Sequence, residues 1–433
     1  MLLDSEQVNR AVARLDAWLE TMRGPGGYGG PVAHWWQQSL VYTGPGHDWR
    51  YEGIIAGYLQ LWKYTGERRW LDKVRRAGDD LVDAQLENGH FAASVFELNP
   101  ATAGTPHEAG CDSGLLLLAL LLREQGDPSW ERYAACAERN VRCFYIEQLW
   151  DESMQAFRDD PRAPAFVPNK AATVCETMFL MAEATGQDIW VEHYAMPTIR
   201  RILAHQVTGG PFDGAMAQNS LGPRRIEKYF PIYNARCVSA LLRGYRWTNQ
   251  ESYADAALRV MGFLRRWMAP DGSLPTVIYP NRSVNRYPLW IAPLGDVLHA
   301  ANVCRSYGFE ADFSETARWV LAGQDETGGI QTARGFAAQA GGTPGSLPDV
   351  RDVLHVVGWC DKVFRFLSAH VRKGPLPVAT SDPFEQPCTF RGRSLLLTES
   401  PTELVVAAHQ EPRYRWHKGQ PWAGLAAPEF WLR

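Results

Sequence analysis

Hydrophobic and polar positions along this chain are arranged in alternating blocks. Segments that are apolar on almost every face, such as Asp112 to Leu122 (DSGLLLLALLL) and Ala171 to Ala184 (AATVCETMFLMAEA), alternate with segments carrying one charged face, such as Glu67 to Gln85 (ERRWLDKVRRAGDDLVDAQ) and Trp130 to Gln148. A helix apolar all round must be buried on most sides, whereas a helix with a charged stripe meets water on one. Short punctuation separates the two kinds: Tyr64-Thr65-Gly66-Glu67 before Trp70, Gln125-Gly126-Asp127 before Trp130, Thr185-Gly186-Gln187 before Trp190, Thr248-Asn249-Gln250 before Tyr253, and more loosely Tyr307-Gly308 before Phe313. In each, Gly or Asn supplies a left-handed residue that closes one helix, polar residues open the next, and an aromatic starts its buried stripe.

The signature recurs at intervals of roughly sixty residues, the mark of a repeated helical hairpin. The buried helices are expected to start near Arg50, Glu108, Asn169, Pro231, Tyr287 and Asp349; the amphipathic ones, counting a first helix over Asp4 to Met22, match them in number. Strand-like alternation is missing before residue 371. The pattern predicts an all-α fold, an (α/α)6 toroid of six helical hairpins over residues 1–371. From 372 to 433, Pro375, Pro377, Pro383 and Pro387 break helix, while Ser394 to Thr398 and Glu403 to Ala408 read like a hairpin. This predicts a small β-rich or irregular C-terminal cap packed on the toroid.

Loop lengths point to the functional end. Inner helices pass to outer ones in a few residues, whereas the return is long, and long loops in a compact domain commonly line a site. At that end the N-termini of the inner helices converge, with unpaired N–H groups and positive dipole ends.

Chemistry-bearing residues cluster at these helix starts. They are Trp49, Arg50, Tyr51 and Glu52; His107 and Glu108 with Asp112; Asn169 and Lys170 with Glu176; Tyr233 and Arg236; Asn285 and Arg286 with Trp290; and Asp349, Asp352, His355 and Trp359 with Asp361 and Lys362. Polar groups on buried helices are costly unless paired or facing a wet cavity. Glu108 and Asp112 lie one helical turn apart, and Asp352 and His355 are spaced to share a face. These four are the candidates for general acid and base, Asp361 and Lys362 read as a salt bridge in the barrel wall, and the others, Asp349 apart, are expected to bind substrate. Lys170, Arg236 and Arg286 suit an anionic ligand such as a uronic acid, or else neutralise nearby carboxylates. Of the chain's 17 tryptophans, Trp70, Trp130 and Trp190 recur at equivalent structural positions, while Trp35, Trp36, Trp49, Trp290 and Trp359 are placed to stack on a ligand, with core packing the favoured role of Trp359.

Composition narrows the classes. A net charge of −4 with 21% charged residues leaves no basic footprint for nucleic acid. No apolar run reaches the roughly eighteen residues of a membrane span, and the start, MLLDSEQVNR, lacks a signal-peptide pattern. Eight cysteines show no paired spacing, so reduced thiols and a cytoplasmic setting are expected. His47, His107 and His355 fall in no metal-ligand spacing, and no metal or cofactor is expected. Asp79-Asp80-Leu81-Val82-Asp83 matches an acidic DDxxD pattern but sits late on a charged outer helix, where a solvated face explains it. The Gly-rich runs Gly24 to Gly30 and Gly341 to Gly345 lack a phosphate-loop ending and read as loops over the mouth.

The segment Thr105-Pro106-His107-Glu108-Ala109-Gly110, opening an inner helix, resembles the His-Asp-x-Gly segment of unsaturated glucuronyl hydrolases, with Glu108 in place of Asp. The whole pattern resembles the six-hairpin glycosidase superfamily, which also includes sugar epimerases. That resemblance implies a small-molecule or oligosaccharide substrate entering the funnel, with hydrolase, epimerase or lyase chemistry. Two rivals are a terpene-cyclase-like toroid, because Gln85 to Phe91 and Gln324 to Ile330 resemble QW repeats, and a non-catalytic toroid that binds glycans or a protein. A zinc-dependent lanthionine-cyclase-like toroid would need a Cys-His dipeptide, which the sequence lacks.

Overall fold

The computed structural model describes residues 4–32, 45–92, 107–338, 342–372 and 374–419 and the backbone of 41–43; Trp35, Trp36 and Gly341 lie outside the described residues. In chain order the helices are α1 (Ser5–Thr21), α2 (Arg50–Thr65), α3 (Arg68–Asp83), α4 (Glu108–Glu124), α5 (Trp130–Asn140), α6 (Pro168–Thr185), α7 (Met196–Leu203), α8 (Pro231–Thr248), α9 (Glu251–Trp267), α10 (Gly295–Ser306), α11 (Ser314–Leu321), α12 (Val350–Val353) and α13 (Val357–Ser368). Helices α2, α4, α6, α8, α10 and α13 pack each on the next, and α13 packs back on α2, which closes the ring. Around it, α1 lies on α13, α3 on α2 and α4, α5 on α4, α7 on α6 and α8, α9 on α8, and α11 on α10. Six inner and six outer helices form the toroid expected from the repeat.

The punctuation works as its chemistry requires. Gly66, Gly126, Gly186, Asn249 and Gly308 all have positive φ, from 56° to 84°. Two inner helices start later than the sequence suggested. Pro288 and Pro293 bar a continuous helix, so Leu289–Trp290 pairs with Ala333–Arg334, a 3-10 turn follows over Ala292–Leu294, and α10 begins at Gly295. Asp349 does cap a helix, with Asp352 completing a capping box, but only for the single turn of α12. Leu354 then extends, its carbonyl accepting from the Thr332 hydroxyl at 2.7 Å, and α13 starts at Val357. Asp352 and His355 therefore do not share a helical face.

The QW-like segments are structural latches. The Gln85 side chain at the end of α3 donates to the Gly89 carbonyl and to Cys136 of α5 at 3.1 and 2.8 Å. Gln206 after α7 reaches Gly214 and Ala256 of α9, and Gln324 after α11 reaches Gly328 and Ala11 of α1, in the same way. Each glutamine thus fastens the turn after one outer helix to the next outer helix. Asp79 and Asp80 are likewise spent on the wall, on Arg132 and Tyr133 and on Arg23 and Tyr51. Among the described residues no metal-binding group of His, Cys, Asp and Glu occurs, no helix is long and apolar enough to cross a membrane, and all eight cysteines are free thiols.

The C-terminal segment forms a four-stranded antiparallel sheet in sequential order, Phe384–Phe390, Arg393–Glu399, Glu403–Ala408 and Glu411–His417. Its apolar face, including Cys388, Phe390, Leu397 and Val406, joins the toroid's core. The joint is electrostatic as well as apolar. His355, buried, lies between Glu399 of the second strand (Nδ1 to Oε2, 2.8 Å) and Asp325 (Nε2 to Oδ2, 2.6 Å). Glu399 also accepts from the Trp18 indole of α1 at 2.8 Å and from Lys418 at 2.7 Å. Burial alone would lower the His355 pKa, but the two carboxylates outweigh it and push it up to about 10. Burial would likewise raise Glu399, yet Lys418 and the His355 imidazolium hold it below the usual carboxylate range. His355 is thus a charged clamp between sheet and toroid.

Two outcomes follow for stability. The ring seam depends on close approach of α2 to α13, because a Cβ on Gly53 would strike the Asp361 carboxylate and main chain. Gly53→Ala should cost about 1–3 kcal/mol in denaturant unfolding, with circular dichroism otherwise unchanged. The clamp's stabilisation is complete below the ordinary histidine value of 6.5 and is lost as pH rises through about 10. The melting temperature should therefore fall from pH 7 to pH 10 in the wild type, while His355→Gln starts lower and shows a flatter alkaline limb.

Candidate functional site

At the N-terminal ends of the inner helices lies one pocket to which all six contribute. Trp49 precedes α2, His107 is the N-cap of α4, and Asn169, Lys170 and Thr173 come from the first turns of α6. Tyr233 and Arg236 come from α8, Asp296 from α10, and Trp359 and Lys362 from α13. Its cavity volume is only about 40 Å³, so it is a narrow slot.

One wall is aromatic. Trp49 and Trp359 lie 5.1 Å apart at 32°, and the His107 ring stands edge-on to Trp49 at 4.3 Å. The Lys362 ammonium sits 5.5 Å from the centre of the Trp49 ring, a cation over an aromatic face. It also bonds Asp361 at 2.8 Å, whose pKa burial pushes up to about 7 against the pull of Lys362.

The floor is a buried charge cluster that crosses the ring. Glu52 of α2 accepts from Arg365 of α13 at 2.6 Å through Oε1 and from Arg236 of α8 through Oε2. Asp296 of α10 approaches Arg365 and Arg236 at 3.4 and 3.7 Å. Arg236 further donates to Thr173 of α6 at 3.0 Å. Burial pushes the Glu52 pKa up, but Arg236 and Arg365 prevail and hold it far below the usual range, so it stays an anion. Glu176 of α6, bonded to Ser239 at 3.0 Å, is shifted upward by burial, with Arg236 opposing. His299, one turn beyond Asp296, is held neutral, first by burial and then by Arg365.

The structure brings together Trp49, His107, Asn169, Lys170, Tyr233, Arg236 and Trp359, with Glu52 and Glu176 behind them. It does not bring together the four acid and base candidates. Glu108 points to the outer ring, accepting from Asn140 at 2.7 Å, from the Phe91 N–H at 3.3 Å and pairing with His90 at 2.9 Å. Asp112 is fully buried, neither oxygen has a partner among the described residues, and burial, with Glu108 adding, raises its pKa well above the ordinary value. Asp352 accepts from the Phe336 N–H at 2.9 Å in a separate cavity beside Pro344 and Gln386, burial pushing its pKa up to about 6. His355 is the clamp already described. For Glu108 and Asp352 the reason is direction: a carboxylate in a first helical turn turns back to bind loop N–H groups as readily as it faces the axis.

Five binding candidates also lie elsewhere. Arg50 is locked to Asp48 at 2.8 and 2.9 Å, and the Tyr51 hydroxyl faces Asp80 and the Tyr28 N–H. Asn285 pairs with Val277 in a short ladder, and Arg286 is exposed on the loop beside it. Trp290 is buried edge-on to Phe336, 6.2 Å from Trp359. Sequence reasoning missed Asp296, Thr173, His299 and Arg365. With α10 starting at Gly295, Asp296 and His299 become an i, i+3 pair in its first turns, a signal hidden by the misplaced start.

No protein-family model matches the sequence, and no curated protein does. Solved structures do match in shape. One, described as a possible member of the GH105 family from Klebsiella pneumoniae, superposes with a TM-score of 0.59 at 9% identity, covering 86% of this chain and 94% of that one. An unsaturated glucuronyl hydrolase specific for heparin gives 0.58 at 13% identity, covering 84% and 96%. A sugar epimerase from a ruminal bacterium gives 0.59 at 14% identity, covering 83% and 97%. At such identities the likeness establishes architecture: this chain has the (α/α)6 toroid fold that is shared across the six-hairpin glycosidase superfamily.

Proposed function

We propose that the protein is a carbohydrate-active enzyme that takes one sugar residue of a glycoside or oligosaccharide into the slot at the inner-helix N-termini and transfers protons to and from it. The observation that carries this reading is the slot's lining, an aromatic wall of Trp49 and Trp359 facing a polar wall of Asn169, Lys170, Tyr233, Arg236 and Asp296. A sugar ring has apolar C–H faces that stack on indole and a rim of hydroxyls that need donors and acceptors, and this lining offers both. The resemblance in shape to sugar-processing enzymes supports the same class.

In a six-membered ring ordered α2, α4, α6, α8, α10 and α13, α4 and α10 stand opposite one another. His107 and Asp296 therefore reach the slot from opposing sides, the arrangement needed when one group protonates a leaving oxygen and another activates water on the far face. Glu52 holds Arg236 and Arg365 in place and, as a permanent anion, is a positioning residue. Glu108, Asp112, Asp352 and His355 serve the scaffold in this reading. A second chemistry, epimerisation by proton abstraction beside a carbonyl, is favoured by one observation, the neutral imidazole of His299 next to Asp296.

Thermal-shift screening should show stabilisation by soluble uronate-containing or neutral oligosaccharides and none by prenyl diphosphates; the reverse pattern would overturn the sugar reading. On a substrate found this way, His107→Gln and Asp296→Asn should each lower kcat by about 10²–10⁴-fold with the fold intact. Trp359→Ala should act chiefly on KM. Full activity in both acid–base variants would refute their assignment.

A further inference from the structure

The slot admits at most one sugar residue, so the rest of an oligosaccharide must lie on the rim, and the rim is unevenly charged. Two long loops lead into α8 and α10. The first forms a hairpin of Asn219–Leu221 with Arg224–Ile226, and the second forms one of Val277–Ile278 with Val284–Asn285. They are joined where Tyr229 and Ile278 exchange two main-chain hydrogen bonds of 2.9 Å. Arg224 and Lys228 on the first loop and Arg282 and Arg286 on the second are all exposed. None of the four has an ion-pair partner within bonding distance among the described residues.

This contrasts with the neighbouring sectors of the mouth. There Arg158 is paired to Asp151, Arg162 to Asp160, Lys170 to Asp159 and Arg351 to Asp349. Within the joined loops the nearby acids are engaged: Glu227 pairs with Arg225 at 2.5 Å, and Asp271, which feels Arg286, accepts from the Ser273 N–H and hydroxyl at 3.0 and 2.7 Å. On a chain whose net charge is −4, four unneutralised cations on two hydrogen-bonded loops form a local positive surface. The slot beneath it is lined from the same two helices by Tyr233, Arg236 and Asp296.

We propose that these loops form a rim subsite for the anionic groups, carboxylate or sulfate, of an oligosaccharide whose terminal residue occupies the slot. The inference rests on the carbohydrate reading of the slot and narrows its substrate class to acidic glycans. Guanidinium groups bind carboxylate and sulfate through paired N–H donors, and their exposure makes the attraction sensitive to salt. The rim holds the chain; the slot holds the reacting sugar.

Calorimetric titration of the full chain with a heparin-derived octasaccharide, maltooctaose and a single-stranded DNA of equal charge tests this. The octasaccharide should bind, and binding should weaken about tenfold in a variant combining Arg224→Ser, Lys228→Ser, Arg282→Ser and Arg286→Ser, four exposed contacts each contributing a fraction of the total. Half-molar salt should weaken it similarly, and maltooctaose affinity should be the same in both proteins. Unchanged octasaccharide affinity in the quadruple variant, or equal affinity for the DNA, overturns the rim subsite. A uronate monosaccharide, which fills the slot and leaves nothing on the rim, reports on the slot alone: if it binds wild type and variant equally, the slot reading stands whatever the rim result. If it binds neither while the octasaccharide response follows the rim charges, the slot reading fails and the rim remains.

Discussion

Glu52 joins three inner helices through one carboxylate. From α2 it holds Arg365 of α13 and Arg236 of α8, and those guanidiniums in turn face Asp296 of α10. The pairs cross the toroid's axis directly beneath the slot. Buried ion pairs are weak contributors to net stability, because desolvation offsets their attraction, but removing one partner leaves the others as uncompensated buried charges. A cluster of this kind is costly to assemble for stability alone, and its placement under the slot ties it to what the slot does. It fixes Arg236 and Asp296 at the pocket wall, and its Arg365 adds to the burial that keeps His299 neutral beside them.

The scaffold distributes other charged groups for a different purpose. Glu108 fastens the turn after α3 through His90, Phe91 and Asn140, the capping box of Asp349 and Asp352 anchors the loop before α13, and His355 bolts the C-terminal sheet to the toroid. Three glutamines, Gln85, Gln206 and Gln324, latch outer helices pairwise. The sequence patterns that suggested an isoprenoid toroid begin at two of these latches, Gln85 and Gln324, and Asp79 and Asp80 of the acidic run are held in ion pairs and hydrogen bonds of the wall.

Much of the fold was legible because its signals are local. A glycine or asparagine at a left-handed helix end, followed by an aromatic, states its own conformation, and Gly66, Gly186 and Asn249 adopt it. The ring and its polar mouth follow from repetition and loop length. Side-chain direction is not local, and there the reading faltered. His107 and Glu108 are adjacent, yet one faces the slot and the other the outer ring; Asp352 and His355 are three apart, yet Asp352 belongs to a single helical turn and His355 to the extended segment after it. Asp296 was passed over because Pro288 and Pro293 delay α10 by several residues beyond the expected start. Lys362 was read as part of a wall salt bridge, which it is, through Asp361, while its ammonium also lines the slot.

One carboxylate organises the slot from below. Urea unfolding of Glu52→Gln tests it most directly, since the substitution keeps shape and removes only the charge. The loss should be about 3–5 kcal/mol, as expected when two buried guanidiniums lose their shared partner. A loss below about 1 kcal/mol, the size of an exposed ion pair, would contradict it.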